Sequence, residues 1–92
     1  MIVMVSALNA SEDDAIKHFN LGAKLQKKGD FDGAIVEFRT AIRLNPNHVI
    51  AHINLGSALG NKGDFDGAIA EFRTAIRLNS NHADATMVSG LR

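Results

Sequence analysis

Gly29-Asp30-Phe31-Asp32-Gly33-Ala34-Ile35 recurs, residue for residue, as Gly63-Asp64-Phe65-Asp66-Gly67-Ala68-Ile69. The two copies stand 63 − 29 = 34 residues apart. Extending that frame aligns Ala15–His48 with Val49–His82; nine of the 34 paired positions differ, which leaves 25 identical. Self-similarity at this period marks an array of helix–turn–helix repeats. Residues 1–14 form an apolar N-terminal segment and helix lead-in. Residues 15–48 and 49–82 form two full repeats, and 83–92 a partial third repeat or capping helix.

Each repeat reads as two helices. Ile16, Phe19, Leu21, Gly22 and Leu25 recur at helical spacing, and Gly29 follows as a stop. Asp30 and Asp32 place negative charge where the next helix begins. Ala34, Ile35, Phe38, Ala41, Ile42 and Leu44 then step by threes and fours. Asn45-Pro46-Asn47 ends that helix, because proline disfavours helical backbone in the residue before it. Leu55, Gly56, Leu59, Ala68, Phe72, Ala75 and Leu78 repeat the pattern. The short KGDFDG links force antiparallel neighbours. Gly22 and Gly56 each cost about 1 kcal/mol inside a helix, so close approach of a neighbouring helix is expected there.

These residues resemble the tetratricopeptide repeat. Leu21-Gly22, Ala34, Phe38, Ala41 and Pro46 match its pattern in the first repeat, and Leu55-Gly56, Ala68, Phe72 and Ala75 in the second. The departures are His18 and His52 at a large-aromatic position, Leu25 and Leu59 at a tyrosine, and Ser80 at the proline. The resemblance implies an all-α solenoid of antiparallel helix–turn–helix repeats. It also implies a groove lined by the first helices. Carried over by position, that groove holds Ile16, Phe19, Asn20, Ala23, Gln26 and Lys27, then Ile50, Ile53, Asn54, Ser57, Gly60 and Asn61, with Asp84 and Met87 from the third segment.

Four of the nine differing pairs (Phe19/Ile53, Ala23/Ser57, Gln26/Gly60 and Lys27/Asn61) fall on the expected groove, whereas the second helices differ only at Val36/Ala70. Packing positions are held while the groove drifts. Its apolar end points to a peptide with hydrophobic anchors, since exposed apolar stripes mark partner sites. The alternative is that Ile16 and Ile50 are plain core. Asn20 and Asn54 are equivalent, and a carboxamide can both donate to and accept from a peptide unit. Carboxylate-clamping relatives use lysine, asparagine and arginine in the groove. Phe19, Ala23, Asp84 and Val88 stand where those residues are needed, so that mode is not expected.

Ten basic and ten acidic residues cancel. No basic footprint points to nucleic acid or a membrane surface. The apolar stretch Met1–Leu8 lacks a basic n-region, is too short to span a bilayer, and reads as a loose end or a covering strip. The absence of cysteine excludes thiol chemistry and fits a reducing, cytoplasmic compartment. His48 and His52 have metal-pair spacing but no third ligand nearby, and His18 and His52 are expected to pack within their own repeats. No nucleophile triad, phosphate loop or HExxH motif is present. A non-catalytic binding module without cofactor is therefore expected, with a protein or peptide partner.

Two repeats are few for such an array. The outer face of Ala68, Phe72 and Ile76 is expected to be only partly covered. The third segment could cap it, the apolar N-terminus of another copy could cover it, or two chains could share helices. The last has a specific motive. Ser80 stands where the first repeat has Pro46, so Asn79–His82 can become helical and fuse the second repeat to the third segment, which favours a swapped homo-oligomer. The same bare edge is expected of a piece of a longer array.

Overall fold

The computed structural model describes the backbone of residues 2–91 and the side chains of residues 12–80. Four helices follow one another: α1 (Ile2–Lys27), α2 (Phe31–Leu44), α3 (Val49–Asn61) and α4 (Phe65–Leu91). α1 pairs with α2 and α3 with α4, the two hairpins join through α2 and α3, and α1 touches α3 only lightly. Among the described residues there is no strand, and the chain is all-α.

The GDFDGAI cassette closes each hairpin by local hydrogen bonds. Gly29 N–H donates to Gln26 O at 3.0 Å, and Asp30 N–H donates to Leu25 O at 2.9 Å. This crossed pair needs a left-handed residue just past the helix, and Gly29 supplies it at φ 85°. Asp30 then caps α2, its carboxylate accepting from Gly33 N–H at 3.0 Å. Gly63 and Asp64 repeat the device with φ 91° and a 3.0 Å cap to Gly67 N–H.

Gly22 and Gly56 have the packing reason expected of them. A Cβ on Gly22 would lie 2.6 Å from Phe38 Cε1, and one on Gly56 would lie 2.7 Å from Phe72 Cε1. In each hairpin the phenylalanine ring of the second helix lies on the bare backbone of the first. The core gathers Ala34, Ile35, Phe38, Leu55, Ala58, Leu59 and Ala68, with Phe19, Leu25 and Ile42 packed against it.

Two expectations are corrected. The apolar segment and helix lead-in of residues 1–14 is continuous in backbone with the first helix, α1 running from Ile2 to Lys27. From Ile2 onward it is therefore not the loose end expected. What the side chains of residues 1–11 cover lies outside the described residues. Ala68 was expected on the bare outer face and is instead buried in the core, whereas Phe72 and Ile76 are exposed.

The two inter-helix links at 45–48 and 79–82 also differ. Asn45, before Pro46, has φ −141° and ψ 87°, the extended backbone that a following proline enforces, and α2 stops there. His48 caps α3, its Nδ1 accepting from Ala51 N–H at 3.1 Å. At 79–82 there is no proline, and α4 continues through the equivalent positions as one helix. This is the fused form of the second repeat and third segment.

Candidate functional site

α1 and α3 lie side by side on one face, tied by a hydrogen bond from Gln26 Nε2 to Ser57 Oγ at 3.1 Å. That bond places the expected groove positions of the two repeats next to each other. Asn20 and Lys27 are exposed on α1, and Ala23 and Gln26 are half-buried. On α3, Ser57 and Asn61 are exposed, and Asn54 and Gly60 are half-buried. Ile16 and Ile50 are both more than half exposed, at 52% and 55%, so neither is plain core. Asp84 and Met87, the expected contribution of the third segment, lie outside the residues whose side chains are described.

Phe19 is placed differently from the other groove residues. Its ring centroid lies 5.8 Å from that of Phe38 and stacks on His48 at 4.9 Å. The ring is half-buried at the core's edge and closes the joint between the two hairpins. A substitution there would therefore damage packing before it altered any groove.

Ile53 occupies the same repeat position, but no described residue of a further hairpin covers it. With Val49 and Ile50 it opens onto a cleft completed by Phe72, Ala75, Ile76 and Asn79 of α4. The apolar end of the groove is thus continuous with the uncovered side of the second hairpin. The resemblance to the tetratricopeptide repeat assigned Ile50 and Ile53 to the groove alone. Their shared cleft with α4 was readable only from which positions of Phe72 and Ile76 go uncovered.

His18, His48 and His52 are structural. His18 Nδ1 lies 2.6 Å from Glu37 Oε1, and His52 Nδ1 lies 2.7 Å from Glu71 Oε1, each pair joining the two helices of its own hairpin. His52 Nε2 also reaches the Pro46 carbonyl oxygen at 3.0 Å, pinning the link between hairpins. His48 and His52 thus have separate structural partners rather than a common ligand. No group of three or more His, Cys, Asp or Glu among the described residues could hold a metal ion. No helix among them is long and apolar enough to cross a membrane.

The sequence model of the tetratricopeptide repeat matches residues 19–83, and a second match covers 53–91. The chain belongs to the tetratricopeptide-repeat family. Among solved structures, one described as the crystal structure of MamA protein is similar with a TM-score of 0.71 and 27% identity; the alignment covers 76% of this chain and 38% of that one. A second, described as the crystal structure of MamA, gives a TM-score of 0.75 at 24% identity, over 89% of this chain and 54% of that one. The chain thus spans between about two fifths and just over half of the solved structures it resembles. No curated protein matches it.

Set against the tetratricopeptide pattern, the departures have local explanations. His18 and His52 replace a large aromatic but reach across their hairpins to Glu37 and Glu71 instead. The tetratricopeptide glycines, Gly22 and Gly56, each lie under a ring from the second helix.

Proposed function

We propose that the chain is a non-catalytic interaction module that takes a peptide, or an extended segment of a partner protein, along the α1–α3 face. The observation that carries this reading is the mixed character of that face. Exposed Ile16 and Ile50 sit one repeat apart, and Asn20 and Asn54 accompany them at the same interval. Apolar side chains supply anchoring area, and carboxamides can pair with the backbone of an extended segment whatever its sequence. The Gln26–Ser57 bond keeps the two rows in register. Among the described residues no assembled set of nucleophile, base and oxyanion donors accompanies them, and His18, His48 and His52 are committed to contacts that hold the helices and their link.

The test uses peptides selected from a random-sequence display library on the immobilised chain. Their binding is then mapped by amide chemical shifts. The expected result is perturbation centred on Ile16, Asn20, Asn54 and Ser57. Truncating both asparagines to alanine should weaken binding roughly tenfold or more, at about 1 kcal/mol for each lost hydrogen bond. Shifts confined to α4, or affinity unchanged by the double truncation, would overturn this reading.

A second reading, from a different class, is a self-assembling element whose apolar surface is covered by other copies. The exposed rings and branches of Phe72, Ile69 and Ile76 support it. A cytoplasmic location remains part of the proposal, on the absence of cysteine.

A further inference from the structure

Resting on the self-assembly reading, we infer that two copies of this chain pair by exchanging the far ends of α4. Residues 83–91 of each copy seat on the Ile53–Phe72–Ile76 face of the other.

The receiving face is a duplicate of one already seen occupied. Phe31–Leu44 and residues 65–78 are the same but for Val36 and Ala70. In the first hairpin, α3 covers this surface, and Phe38 is 0% exposed. In the second, Phe72 is 38% exposed and Ile76 64%. A face with the same side chains is complementary to the same kind of helix, one carrying the pattern of α3.

Residues 83–91 carry that pattern. The tetratricopeptide match extends through residue 91. In the 34-residue frame, Ala85 repeats Ala51 and Gly90 repeats Gly56, while Met87 stands at the position of Ile53. Ser89 stands at the position of Leu55 and Arg92 at that of Ala58, which makes this joint weaker than the one between α2 and α3.

The segment cannot fold back onto its own hairpin while α4 is continuous. α3 reaches α2 because the chain reverses at 45–48. That reversal depends on Pro46 and on the bond from His52 to the Pro46 carbonyl. Both devices are missing one repeat later, where Ser80 and Thr86 occupy those positions. A continuous helix carries residues 83–91 away from Phe72, at about 1.5 Å per residue. A second copy can accept what the first cannot. Because the link at 45–48 has its equivalent at 79–82, two α4 helices laid antiparallel would cross there. Each would then offer its far end to the other's bare face, and the arrangement closes as a two-fold dimer.

The other available helix fits poorly. α1 of a second copy would bring Lys17 and Lys24 to the positions of Ala51 and Ala58. Both alanines are fully buried in the existing joint. Burying two lysines there without partners is disfavoured. The lysines instead suit the solvent-facing side of α1, where both are exposed.

The test combines light scattering on a sizing column, over a hundredfold concentration range, with the double variant Ala75→Cys/Ala85→Cys. The equivalent residues, Ala41 and Ala51, are both buried on either side of the 45–48 link. The natural chain has no cysteine to interfere. Along one continuous α4 the two positions stand roughly 15 Å apart, beyond disulfide reach. The expected result is a dimer that oxidation locks covalently between chains. Ser80→Pro should restore the reversal, halve the mass and turn the same disulfide into one within a chain, with the helical circular dichroism signal kept. A monomer at every concentration would overturn both the exchange and the self-assembly reading. A dimer that forms no inter-chain disulfide, or that persists unchanged in Ser80→Pro, would overturn the exchange alone.

Discussion

α2 and the first half of α4 have nearly the same residues and different surroundings. Phe38 and Phe72 lie on Gly22 and Gly56 in the same way. Yet Phe38 is fully buried and Phe72 is not, and Ile35 is 9% exposed where Ile69 is 48%. The side chains are the same, so the difference belongs to the neighbour: α3 covers α2, and no described residue covers α4 in the same way. In a repeat array a residue's burial follows from its place in the stack as much as from its type.

Removing the two rings gives the largest contrast. Phe38→Ala should cost about 3–5 kcal/mol by urea unfolding, as expected for a fully buried ring. At concentrations low enough to keep the chain monomeric, Phe72→Ala should cost less than half as much, because the ring is 38% exposed there. Equal costs would mean that the face of α4 is covered in solution.

The glycines sharpen the same contrast. Alanine at Gly22 gains about 1 kcal/mol of helix propensity. It also drives a methyl into Phe38, and overpacking of this kind costs about 1–3 kcal/mol. Because Phe38 is enclosed on all sides, Gly22→Ala should lower the melting temperature. In the monomer Gly56→Ala should lower it less, since Phe72 can tilt into the open cleft. It should not be silent, because the Ala68 carbonyl oxygen also lies 3.1 Å from the added methyl. A larger loss at Gly56 than at Gly22 would show that Phe72 has no room to move.

The histidines give the smallest difference. His52 holds both Glu71 and the Pro46 carbonyl, whereas His18 holds Glu37 alone and is more exposed. Losing a partly buried hydrogen-bonding side chain costs about 1–3 kcal/mol. His52→Ala should fall in that range and His18→Ala at its lower edge, read by thermal circular dichroism. Matching losses would mean that the bond to Pro46 adds nothing to the link.

The hairpins were legible because their signals are local. The spacing of Phe38, Ala41 and Ile42, the stop at Gly29 and the cap at Asp30 each act within one or two turns of chain. The need for Gly22 was legible as well, since a glycine inside a helix requires a tertiary reason. Other features depend on contacts across the repeat boundary and leave no periodic trace. The stacking of Phe19 on His48 and the hydrogen bond from Gln26 to Ser57 join residues 29 and 31 positions apart. The apolar run Met1–Leu8 left open whether it was a loose end or a covering strip, because a run without helical spacing does not show which backbone it adopts.

The hydrogen bonds that close the first hairpin span no more than five positions, from Leu25 to Asp30 and from Asp30 to Gly33. Helical structures with such short-range contacts fold in microseconds to milliseconds. A ribosome adds roughly 5–20 residues per second, so the 34 residues of the second repeat take about two to seven seconds to make. During that interval the newborn first hairpin would present Phe38 and Ile42 bare, as the finished chain presents Phe72 and Ile76.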